Sequence, residues 1–195
     1  MVVRRRHPTR MPQLRTHLLG QEVTLIGNAS AVGRLSSRRS TAASFPRYWF
    51  TMPVIIVGAD TDVGATIVEA LLPRQGEVRV FVSDPDVAVR LKRRGAKAAL
   101  GDVSDGSHIG AAALSAFAAV LIAEAATDDR ERSFAPDEPA VVAEWAEALA
   151  DAGLQRAIWV GNGSVPASIA AVVAESASVD VHGRDLADVA ADVAA

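Results

Sequence analysis

Short β-branched runs that alternate with longer helical patterns predict an α/β fold: a doubly wound, mostly parallel sheet of five or six strands, with helices on both faces. Three observations carry this. The run PVIIVG, Pro53 to Gly58, is apolar throughout, as a strand buried on both faces must be. The strand-then-helix unit recurs about every 25 residues without repeated wording, which excludes a solenoid. And 195 residues, half of them apolar and 22% charged, suffice for one domain with a proper core but not for two of ordinary size.

The elements follow in order. After PVIIVG, Val63, Ile67, Val68, Leu71 and Leu72 fall at helical spacing, and Pro73 with Gly76 ends that helix. VRVFVS is the second strand. Asp84 before Pro85 marks a helix start, with Val87 and Leu91 facing inward and Gly95 terminating. KAALGD is a short third strand with its exit loop, and Ser107 to Phe117 is a third helix apolar at Ile109, Ala113, Leu114 and Phe117. AVLIAE is the fourth strand. A polar loop, ATDDRERSFAPDEP, leads to a helix with Val141, Val142, Trp145 and Leu149 on one stripe, ended by Gly153. RAIWVGNG is the fifth strand. Ala167 to Glu175 is a weak helix, VDVHG a sixth strand, and Asp185 to Val193 a final helix. Right-handed crossovers arrange such units as 3-2-1-4-5, with the sixth strand at the far edge. Ligands of such sheets bind where the order reverses, which points to the loops Gly58 to Gly64, Ala123 onward, and Gly161 to Ser164.

The net charge of −3 conceals two kinds of sequence. Residues 1–51 carry nine arginines and one acid, Glu22; residues 52–195 carry eleven basic and twenty-two acidic side chains. The leader has no sustained period. It is arginine-rich and acid-poor like a transit peptide, and equally fits a basic arm for nucleic acid or anionic lipid, or sequence upstream of a natural start at Met52. The expected organisation is therefore a basic tail, 1–51, and one domain, 52–195. Nucleic acid is expected nowhere but at that tail. With no cysteine, disulfides and thiolate chemistry are excluded, which suits a reducing cytoplasm. No apolar run nears the roughly 18 residues of a membrane helix. The histidines His7, His17, His108 and His182 share no metal-ligand spacing, so no metal site is expected.

In VGADTDVG, Gly58 directly after the strand permits a tight turn and Gly64 lets the helix pack close, with main-chain N–H groups between them facing an anion. A third glycine is missing. Thr61 holds its place, narrowing the approach while offering a hydroxyl to a phosphate oxygen. Asp60 and Asp62 oppose an anion unless they face solvent or cap the helix, and Asp62 is placed to cap it.

The run VIIVGADTDVGATIVEALL resembles the opening of the atypical, extended-like short-chain dehydrogenase/reductase proteins, including NmrA-like NAD(P)-binding proteins, whose loop usually reads TGATGxxG. The likeness continues through VRVFVSDPDVAVRLKRRGAKAALGDVSD to AVLIAE and RAIWVGNG, about Pro53 to Ser164. It implies a Rossmann-like domain binding NAD or NADP. By the same resemblance Gly58, Thr61, Val63 and Gly64 would cradle the pyrophosphate, Asp102 and Val103 would lie along the adenine, and Ala123 and Glu124 under the nicotinamide-side ribose. Where NADP-preferring relatives often carry arginine this chain has Ser83 and then Asp84, an acid able to accept from ribose hydroxyls, which favours NAD. The competing role for Asp84 is a plain helix cap before Pro85.

The reaction centre of such enzymes, a tyrosine with a lysine four residues later, is absent: the one tyrosine is Tyr48, and the lysines are Lys92 and Lys97. Asn162, Ser164 and Ser168 follow the fifth strand without a proton relay. Asp128, Asp129 and Glu131 sit in an arginine-containing loop and read as solvated. Ser178, Asp180 and His182 alternate too far apart along one strand for a catalytic triad. Few residues remain after the fifth strand to form a substrate lobe. The leading expectation is thus a dinucleotide binder or sensor without catalytic residues. The alternatives are an oxidoreductase passing hydride from NAD(P)H to a flavin or quinone, and a scaffold that binds no nucleotide and forms a homodimer through the Trp145 helix.

Overall fold

A computed structural model describes residues 51–130 and 132–195; the basic leader up to residue 50, with Tyr48, and Glu131 lie outside the described residues. The strands among the described residues are β1 (Val54–Val57), β2 (Val78–Val82), β3 (Lys97–Leu100), β4 (Ala118–Ile122), β5 (Arg156–Val160) and β6 (Glu175–Val179). They form one parallel sheet in the order β3-β2-β1-β4-β5-β6. The helices are α1 (Asp62–Leu71), α2 (Pro85–Arg93), α3 (Gly106–Ala113), α4 (Glu124–Thr127), α5 (Glu138–Asp151), α6 (Ala167–Val172) and α7 (Leu186–Ala194). The order reverses between β1 and β4, as the crossover rule requires.

Each face of the sheet carries its own core. Alternation along β1 sends Val54 and Ile56 toward the cluster that contains Ile67 and Val68 of α1, Leu91 of α2 and Val189 of α7. Ile55 and Val57 join Ile109 of α3, Trp145 and Leu149 of α5, and Ile169 of α6. All four β1 side chains are fully buried, each worth about 1.5–3 kcal/mol of apolar transfer. Trp145 is buried too. Its indole N–H donates to the Val103 carbonyl at 2.7 Å, and its ring lies 6.3 Å from that of Trp159, so the apolar stripe of this helix is turned into the core.

The structure differs from the sequence reading in several elements. The sixth strand is Glu175–Val179, four residues earlier than VDVHG, because the chain turns extended at Val173 and pairs Arg156 with Glu175 through Val160 with Val179. As an edge strand it has one paired neighbour, so the polar ESASV serves and the apolar signal is weak. Residues 180–183 then form a turn in which the His182 amide donates to the Asp180 carboxylate, which removes Asp180 and His182 from any shared strand face. The third helix stops at Ala113, leaving Leu114 exposed and Ser115 at a φ of 64°. Glu124–Thr127 form the short α4, where the sequence pattern continues the fourth strand through Glu124 and begins a loop at Ala126.

Candidate functional site

The loops that follow β1, β2, β3, β4 and β5 lie at the carboxyl end of the sheet, and the residues named for the site sit on them or in the first turns of α1 and α4. Gly58 leaves β1 with a φ of +84°, and a Cβ there would lie 2.5 Å from that of Ala125 on α4. A Cβ on Gly64 would lie 2.3 Å from the Gly58 carbonyl oxygen. Both glycines are therefore required for α1 and α4 to pack against the loop.

Thr61, not Asp62, caps α1. Its hydroxyl accepts from the Gly64 amide at 3.0 Å and donates to the Gly58 carbonyl at 3.0 Å. Asp62 lies in the first turn, where its charge favours the helix dipole. This corrects the expectation for both residues, since the single hydroxyl hydrogen of Thr61 is spent inside the loop and is not free for a phosphate. Thr61 wins the cap because it holds the extended backbone (φ −81°, ψ 162°) that a cap needs. The amides of Asp62 and Val63 donate to no protein acceptor among the described residues, so two N–H groups at the start of α1 remain for an anion.

Asp60 turns neither to solvent nor to the helix end. Its Oδ2 accepts from the amides of Ser83 at 2.7 Å and Asp84 at 3.3 Å. Arg130 donates to both of its carboxylate oxygens, at 3.0 and 3.2 Å, and to the Ser83 hydroxyl at 3.1 Å. The same guanidinium pairs with Asp128. Burial by itself would lower the Arg130 pKa, yet the bonds to Asp128 and Asp60 outweigh it and raise the group further above its ordinary value. Asp84 caps α2, its Oδ1 accepting from the amides of Asp86 and Val87. Asp60, Ser83, Asp84, Asp128, Asp129 and Arg130 together line a recess of about 330 Å³.

After β3, Asp102 accepts from the amide and hydroxyl of Ser104 through one oxygen and from the Ser133 amide through the other. Burial pushes this carboxyl up, but those hydrogen bonds outweigh it and hold it below the usual range. Val103 is fully buried and its carbonyl is taken by Trp145, so its side chain belongs to the core. The segment after α4 thus crosses back over the ends of β1, β2 and β3, where Arg130, Ser133 and the Phe134 amide bond Asp60, Asp102 and Ser104. None of these long-range partners was read from the sequence. The one available signal was an arginine among acids in DDRER, opposite a loop with unexplained aspartates.

At the other end, Ala123, Glu124, Thr127, Glu138, Trp159, Gly161, Asn162 and Val181 line a cavity of about 370 Å³. Burial first, then the charges of Asp62 and Asp128, hold the Glu124 carboxyl above its usual range, against the pull of Arg130. Ser164 and Ser168 are exposed, and His108 has an exposed ring against the edge of Phe81. Lys92 is exposed on α2, and Lys97 on β3 pairs with Glu77. Among the described residues there is no tyrosine for either lysine to assist.

The sequence matches the family model described as NAD(P)H-binding over residues 58–193. The resemblance read from the loop and strands is borne out by this match. Among curated proteins none matches the sequence. Of the solved structures, the triphenylmethane reductase of Citrobacter sp. superposes with a TM-score of 0.53 at 14% identity, covering 66% of this chain and 48% of that one. The anaerobillin reductase ChuY of Escherichia coli O157:H7 is 25% identical over 56% of this chain and 50% of its own, with a TM-score of 0.44. NmrA, a negative transcriptional regulator in complex with NADP, is 17% identical over 60% of this chain and 34% of its own, with a TM-score of 0.47. The chain spans about half the length of the two reductases. No helix among the described residues is long and apolar enough to cross a membrane.

Proposed function

We propose, from the premise that this chain belongs to the NAD(P)H-binding family, that it is a dinucleotide binder or sensor working without a tyrosine–lysine pair. The observation that carries this is the start of α1, where the amides of Asp62 and Val63 have no protein acceptor among the described residues and lie between two glycines that packing requires. In this reading the pyrophosphate rests on those amides between Gly58 and Gly64. The adenosine lies toward Ser83, Asp84 and Asp102, and the nicotinamide-side ribose over Ala123 and Glu124. Asp102 already accepts from the Ser133 amide, so an adenine amine would share a carboxylate that is partly engaged. When bound, the cofactor supplies a hydride donor or acceptor at the β4 and β5 end. Titration of the full chain with NADH and with NADPH, following nicotinamide fluorescence, tests the reading. Saturable curves are expected, and flat curves for both at millimolar ligand would end it.

The cavity of about 370 Å³ beside Ala123 favours one second reading, an oxidoreductase that hands hydride to a flavin or quinone held there by Trp159 and Asn162. Such transfer runs on positioning and requires no tyrosine. An acceptor-dye assay separates the two: oxidation of NAD(P)H above the protein-free rate supports the reductase, and a protein-free rate in the presence of saturable binding supports the sensor.

A further inference from the structure

Resting on the reading of a dinucleotide in this cleft, we propose that Asp60 is the residue that selects against the 2′-phosphate of NADP(H), its carboxylate filling an anion site that the phosphate would otherwise take. The site is built from the end of β2. Two successive amides, of Ser83 and Asp84, point at Asp60 Oδ2 from 2.7 and 3.3 Å, the Arg130 guanidinium reaches both carboxylate oxygens, and the Ser83 hydroxyl stands beside it within 3.1 Å of the same guanidinium. Paired amides, a planar guanidinium and a hydroxyl are the donors a phosphate monoester calls for. Here the anion is supplied from within the chain. The Asp60 side chain is only 5% exposed, so little of that carboxylate is left to water.

The location fits the role. In doubly wound sheets the adenosine ribose is read just past the second strand, and the recess there is lined by Asp60, Ser83, Asp84, Asp128, Asp129 and Arg130. Among the described residues Arg130 is the sole cation of that lining, and it is already matched by Asp60 and Asp128. A 2′-phosphate would bring its charge against four carboxylates, whereas a 2′-hydroxyl donates to one. Asp84, whose Oδ1 caps α2, keeps Oδ2 for that hydroxyl. Discrimination thus comes from the loop after β1 and not from Asp84 alone.

The test compares the full-length wild type with Asp60→Ala and Asp60→Asn, each titrated with NADH and NADPH by fluorescence and with adenosine 2′-monophosphate and 5′-monophosphate by calorimetry. Wild type is expected to bind NADH more tightly than NADPH by about tenfold or more, a gap set by like-charge repulsion. Asp60→Ala should close that gap by about tenfold, and Arg130→Ala added to it should reopen the gap. The ratio is read within each variant, so a general loss of affinity leaves it intact. Should Asp60→Ala fail to fold, Asp60→Asn keeps an oxygen for the amides, loses the charge, and is held to the same ratio. Wild type favouring NADPH, or a ratio that stays within about twofold in the variants, overturns the proposal. If wild type binds neither dinucleotide the parent reading falls separately; gain of adenosine 2′-monophosphate binding by Asp60→Ala then still supports the anion site, and no gain removes it.

Discussion

At the β2 and β3 end of the cleft, Asp60, Ser83, Asp84, Asp102 and Ser104 are each hydrogen-bonded to another part of the chain. At the β4 and β5 end, Ala123, Glu124, Thr127 and Gly161 border open space of about 370 Å³, and the Glu124 carboxylate has no hydrogen-bond partner among the described residues. The difference is one of cost. A ligand entering the first end meets carboxylates already bonded to Arg130, Ser133 and backbone amides, so wherever it displaces one of those bonds its affinity reports only the surplus. A ligand entering the second meets a Glu124 carboxylate that has no protein partner to give up among the described residues.

The strongest way to break this contrast is to empty the bonded end. Arg130→Ala leaves Asp60 nearly buried without its cation, and should lower stability by about 3 kcal/mol in urea unfolding. A loss under about 1 kcal/mol would mean that the network is not holding the segment across the sheet. Next is an attempt to fill the open end. A Cβ on Gly161 would lie 2.4 Å from that of Ala123, so Gly161→Ala should cost about 2 kcal/mol and displace α4. Under the proposed function it weakens NADH binding and leaves adenosine monophosphate binding unchanged, which calorimetry distinguishes.

Between the two ends, Thr61→Ala removes the α1 cap and should cost about 1 kcal/mol, with NADH affinity following as the first turn loosens. An affinity increase on that substitution would show that the threonine obstructs the phosphate more than it orders the loop. The smallest effect is a matter of pH, and the two ends differ in sign. Asp102, held low, adds stability above the ordinary carboxylate range that is lost as pH falls through its lowered value. Glu124, held high, binds its proton more tightly when folded, so its ionisation removes stability as pH rises through the raised value. Glu124→Gln should therefore leave Tm unchanged near about pH 4 and raise it slightly at about pH 7, whereas Asp102→Asn should lower Tm at neutral pH and flatten the acid limb. Thermal melts across pH check both.

The order of the strands, the glycines at 58 and 64 and the reversal between β1 and β4 were legible from the residues themselves. Local rules sufficed: an unbroken apolar run in VIIV, helical spacing from Ile67 to Leu71, and a chirality that admits one winding. The weak spots were also local in origin. An edge strand need not be apolar, so ESASV gave little sign of itself, and two adjacent residues able to cap α1 differ only in backbone angle.

What the amino-acid order determined by itself was the frame, because secondary structure and winding depend on neighbours a few residues apart. What only the tertiary structure decided was how the charged groups on that frame are spent. Arg130 meets Asp60 across seventy positions and Ser133 meets Asp102 across thirty-one, and both meetings are set by where a long connection falls over the sheet. A carboxylate's partner, and hence whether it repels a ligand, caps a helix or stands in for an anion, follows from distances in space that spacing along the chain does not encode.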